Sequence, residues 1–79
     1  MNAIEMIGKE VLDRNVNRIG KLSDIGINVE KGTVEYFVIK LGLTKKVYIS
    51  HNEIARVGEK IILNVSKEEL EKSPAANKK

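Results

Sequence analysis

A chain of 79 residues with 42% hydrophobic and 32% charged residues is one small globular domain rather than a disordered segment, close to the size at which a single core leaves little stability. It has no cysteine, which excludes disulfides and thiolate metal sites and fits a reducing compartment. The net charge of +3 comes largely from the tail: without residues 73–79 the balance is 12 basic against 11 acidic residues, and Lys and Arg alternate with Glu and Asp instead of forming a phosphate-binding run.

The first stretch, MNAIEMIGKE, shows no basic region followed by an apolar run. No segment approaches the roughly 20 apolar residues of a membrane span, so a cytoplasmic chain without membrane insertion is expected. Glu10-Val11-Leu12 reads as a first short strand, with Asp13, Arg14, Asn15 and Asn17 supplying turn residues. Residues 18–30 form a long strand. Ile25, Ile27 and Val29 alternate within it, but Ile19 and Leu22 fall in a different phase, which predicts a bulge near Ser23-Asp24. Gly20 and Gly26 let such a strand coil tightly.

Lys31-Gly32 then serves as a hairpin turn into a strand from Thr33 to Leu41, broken by Gly42. Residues 46–50 give another strand. Residues 51–58 read as a short helical turn, because Ile54 and Val57 are three apart. A last strand covers 60–65. Ser66-Lys67-Glu68-Glu69 has the spacing of a capping box, predicting a helix of about two turns over 66–72 that anchors through Leu70. The expected organisation is a single domain over 1–72 and a flexible basic tail over 73–79. Short strands rich in Ile and Val and punctuated by glycine make the fold class all-β, a small antiparallel barrel.

Reactive chemistry finds little support. His51 is the only histidine, and general acid–base work needs a positioned partner. One histidine with scattered carboxylates lacks the spacing of a zinc or calcium site, and no glycine-rich phosphate loop occurs. Asp13 and Asp24 are the best-placed carboxylates, but at a turn and a bulge such side chains mostly accept from nearby backbone amides. No catalytic residue, metal site or cofactor is expected, and the chain is not expected to be an enzyme. Nucleic-acid binding is not expected either, because Tyr36, Phe37 and Tyr48 are the only aromatics.

The strand VEYFVIKL, residues 34–41, raises a different question. Phe37, Ile39 and Leu41 point to one face and Val34, Tyr36 and Val38 to the other, since side chains alternate along a strand. One face fills the barrel. The other needs a cover: a second chain, or the C-terminal helix folding back through Leu70. The intermolecular cover is favoured, because a two-turn helix offers few apolar side chains, and Val34, Tyr36, Val38 and Tyr48 are the predicted interface.

Ile7-Gly8-Lys9-Glu10-Val11-Leu12-Asp13, Ile19-Gly20-Lys21-Leu22-Ser23-Asp24-Ile25, the run from Gly32-Thr33-Val34 to Gly42, and Ile54-Ala55-Arg56-Val57-Gly58-Glu59-Lys60-Ile61-Ile62-Leu63 together resemble the PRC-barrel domain family over about residues 4 to 65. The resemblance implies a compact barrel of about five or six strands. It is similar to the stand-alone archaeal type, some of whose members belong to FtsZ-based division machinery with SepF. It therefore implies a non-enzymatic adaptor in cell division, placed in the cytoplasm at the division site. Its partners would be a second copy or a PRC-barrel paralogue, and division proteins such as SepF. The alternative implied by the family is ribosome or RNA association, as for the C-terminal domain of a bacterial ribosome-maturation factor.

Overall fold

The computed structural model describes residues 2–72, with side chains through residue 70; the tail expected at 73–79 lies outside the described residues. The chain begins with a single turn, α1 (Ala3–Met6), which the sequence reading does not anticipate. Four residues are too few to show helical periodicity. The turn is held by its cap instead: the Glu5 amide donates to Asn2 Oδ1 at 3.0 Å, and the Asn2 amide donates to Glu5 Oε1 at 3.3 Å.

Six strands follow: β1 (Glu10–Leu12), β2 (Arg18–Asn28), β3 (Thr33–Leu41), β4 (Lys45–Ile49), β5 (Ile54–Val57) and β6 (Ile61–Leu63). The predicted bulge is present. Leu22 pairs with Ile39 and Asp24 with Val38, so Ser23 is passed over, and its hydroxyl donates to the Val38 carbonyl at 3.3 Å. This slip turns both Leu22 and Ile25 towards the core, which resolves the two phases of the long strand.

Residues 51–58 differ from expectation. Only His51–Glu53 form a helical turn, of 3-10 type, closed by the Ser50 amide donating to Glu53 Oε1 at 2.9 Å. Ile54–Val57 is a strand paired with β6, and its register slips between Ile54 and Arg56. The slip explains the misleading signal, because a bulge places apolar residues three apart just as a helix does.

The strand order is β4-β3-β2-β1-β6-β5. Every neighbouring pair is antiparallel except β1 with β6, which is parallel, so the expected antiparallel barrel is a mixed sheet at that seam. Five steps of about 4.8 Å would spread a flat sheet too widely for one core. Here Val11, Leu22, Ile39, Val47, Ile49, Ile61 and Leu63 meet in one buried cluster, with Ile54 of β5 packed against it. The sheet therefore curls round a single core, and the edge strands β4 and β5 are connected through the 3-10 turn. Gly20 permits this curl: a Cβ there would lie 2.1 Å from the Lys40 carbonyl oxygen.

The last helix, α2 (Lys67–Lys72), has the predicted capping box. The Ser66 amide donates to Glu69 Oε1 at 2.8 Å and the Glu69 amide donates to Ser66 Oγ at 3.1 Å. Leu70 is 4% exposed and belongs to the same cluster as Phe37 and Ile39. The helix thus packs on the core and does not fold over the outward side of β3. Of the two covers considered for that side, the intrachain helix is the one the structure corrects.

Candidate protein interface

The outward side of β2, β3 and β4 is built in rungs. Gly26 pairs with Tyr36, then Asp24 with Val38 and Val38 with Tyr48, then Lys21 with Lys40 and Lys40 with Lys46. Residues paired across a ladder share a face, and successive rungs lie two residues, about 7 Å, apart. The Tyr36 and Tyr48 rings meet edge to face, with centroids 5.4 Å apart. Tyr36 lies across Gly26: a Cβ there would fall 2.2 Å from the ring.

These neighbours change the role of Val38. Expected as part of an outward stripe, it is only 4% exposed, yet it stands outside the core cluster. The tyrosines and the flanking strands bury it within its own chain, so its availability to a partner is corrected. The structure does bring Tyr36 and Tyr48 together. Tyr36 remains 37% exposed and Val34 44% exposed, while Tyr48 is half-buried.

Two residues that the sequence reading assigned to a regular strand extend this surface. Ile27, opposite Val34, is 60% exposed, and Val29 is 86% exposed because the strand expected over 18–30 ends at Asn28 and leaves Val29 in the turn to β3. Their alternation with Ile25 suggests a common inward face. A second register slip between Gly26 and Ile27 ends that relation, and β2 with β3 continues here as a two-stranded arm beyond the pairing range of β1 and β4. An isolated hairpin arm has no second layer of its own to bury such side chains against.

Asp13 has the structural role expected of it and one more. It is fully buried; its carboxylate accepts from the amides of Asn15 and Asn17, from the Asn17 side chain, and from the Lys67 amide at 2.8 Å. That last bond ties the β1–β2 turn to the start of α2. Burial works against its charge, but the Asn17 and Lys67 amides and the remaining donors outweigh it and hold the carboxyl below its ordinary value. Asp24 accepts from the Ile25 amide at 2.8 Å, as a bulge residue does. His51 is exposed in the 3-10 turn. Among the described residues, no three His, Asp or Glu side chains are grouped to hold a metal ion, and no helix is long and apolar enough to cross a membrane.

A family model for the PRC-barrel domain matches residues 1–70. The chain belongs to the PRC-barrel family. No curated protein matches it. This PRC-barrel domain exposes an apolar patch of Ile27, Val29, Val34 and Tyr36 backed by Tyr48, with a row of lysines one rung beyond Tyr48.

Proposed function

We propose that this PRC-barrel domain is a non-enzymatic adaptor acting through protein–protein contacts, pairing with a second copy or a PRC-barrel paralogue through Val34, Tyr36 and Tyr48. The observation that carries the reading is the apolar hairpin arm, where Ile27, Val29, Val34 and Tyr36 stay in contact with water. Covering these four side chains would contribute on the order of 4–6 kcal/mol per protomer before the cost of association. The family resemblance supports a place in archaeal FtsZ/SepF-based division. The RNA-associated alternative has less support, because Tyr36 lies against Gly26 and meets Tyr48 at 67°, leaving no pair of parallel platforms for stacked bases.

Light scattering tests the pairing. The wild-type chain is expected at the mass of a dimer at micromolar concentration, and Ile27→Lys with Val34→Glu, a facing pair on the exposed arm, is expected at the mass of a monomer with an unchanged circular-dichroism spectrum. Both positions are accessible, so association is read separately from folding; Val38→Glu would confound the two. A double variant that keeps the dimer mass would refute this interface. Capture from native cells distinguishes the roles, with SepF and FtsZ enriched for division and ribosomal proteins for the alternative.

A further inference from the structure

We propose that the β3–β4 turn is a docking tip for an anionic membrane surface, with Leu43 entering the headgroup layer and lysines around it neutralising acidic phospholipids. Leu43 is 89% exposed, following Gly42 in the turn. Just behind it, Lys21, Lys40 and Lys46 stand directly opposite one another across three strands, and Glu10, which ends the rung on β1 beside Lys21, is bound by Arg18 and Lys60. Like charges in such a rung destabilise a sheet. Three other cations have carboxylates: Arg18 and Lys60 bind Glu10, and Arg14 lies 3.9 Å from Glu69. Among the described residues, none of the three ladder lysines is within ion-pair distance of a carboxylate.

The geometry selects among anionic partners. Lys40 and Lys46 stand on the outward face of the sheet, whereas Lys45 pairs with Leu41 on the opposite face and lines a separate hollow with Lys67. Cations thus surround a protruding aliphatic side chain on both sides, an arrangement suited to a plane of negative charge. On the outward side, Arg18, Lys21, Lys40 and Leu43 border a hollow of about 350 Å³, room for a phosphate headgroup. A nucleic-acid strand would gain from stacking aromatics, but Tyr48 and Tyr36 lie one and two rungs away from the lysine row, on the side opposite the tip. The contact is peripheral and independent of the apolar arm used for pairing.

Flotation of the full chain with vesicles, at low and high salt, tests this assignment. Binding to phosphatidylcholine mixed with phosphatidylglycerol, and none to phosphatidylcholine alone, is expected, with release by salt. At about 1 kcal/mol per lysine, Lys40→Gln with Lys46→Gln should weaken binding roughly 30-fold. Leu43→Asp should weaken it about tenfold by removing the inserted side chain. Melting curves check that these exposed substitutions leave the fold intact. The proposal is overturned by absence of vesicle binding at low salt, by binding that ignores Leu43, or by single-stranded RNA or inorganic phosphate being bound in place of vesicles.

Discussion

Val16 has a backbone φ of 68°, a left-handed conformation that a β-branched side chain adopts only under strain. It is held there by Asp13, whose carbonyl accepts from the Val16 amide at 2.9 Å and whose carboxylate fixes Asn15 and Asn17 on either side. The side chain is 67% exposed, so little packing compensates for the strain. Val16→Gly is therefore expected to stabilise the domain by about 1 kcal/mol, the relief of strain being partly offset by a freer unfolded chain. Thermal unfolding should show a midpoint roughly 4–8 °C higher. A lower midpoint would mean that the valine side chain contributes packing outweighing the strain. The aspartate at this turn was evident in the sequence, but its bond to Lys67 was not, because the two are 54 positions apart.

Among the elements, α2 depends most on a single side chain. The capping box specifies where the helix starts, but a helix this short is not stable through its own hydrogen bonds. Leu70 supplies the attachment by entering the core cluster beside Ile19 and Val47. Because Leu70 also borders a hollow of about 230 Å³, truncation there leaves its surroundings room to settle. Leu70→Ala is expected to cost about 2–3 kcal/mol, near the lower end for a buried leucine. Denaturant melts should show this loss with an unchanged m-value. The cap was readable as Ser-x-x-Glu, whereas the direction in which the helix folds back depends on which end of the curled sheet is left open. The strand Ile54–Val57 shows the opposite difficulty, since its bulge imitates a helical spacing that only pairing with β6 resolves.

For the domain as a whole, charge places stability between acid and strongly alkaline limits. The Lys60 ammonium and the Arg18 guanidinium hold Glu10 below its ordinary 4.5, and the Ser66 amide lowers Glu69. Asp13 is likewise lowered from 3.8 by its amide donors against the effect of burial. A carboxyl lowered on folding stabilises the native state above its unfolded value, and that contribution disappears as pH falls through the folded value. Lys60 behaves inversely: raised from 10.5, chiefly by its hydrogen bond to Glu10, it stabilises below that value and ceases to do so as pH rises past the folded one. Melting temperature should thus be nearly constant from about pH 5 to 9 and fall on either side. Asp13→Asn should lower the plateau and flatten the acid limb; an unaltered acid limb would show that this carboxyl does not govern it.

Much of this PRC-barrel is written in local pattern. The two phases of β2, the turn that ends at Gly32, longer by two residues than expected, the alternation of β3 and the cap at Ser66 each depend on residues within a few positions of one another. Such short-range chemistry marks where strands, bulge and helix start fall, and pairing and packing then stabilise them. The outward surface of β2, β3 and β4 has a different origin. Val38 becomes buried, Tyr36 meets Tyr48, and Lys21, Lys40 and Lys46 form one row because particular strands are neighbours in a particular register. The lysines are 19 and 6 positions apart along a chain whose charges alternate, so no linear reading gathers them. Register alone does so, because pairing places side chains about 5 Å apart whatever their separation in sequence.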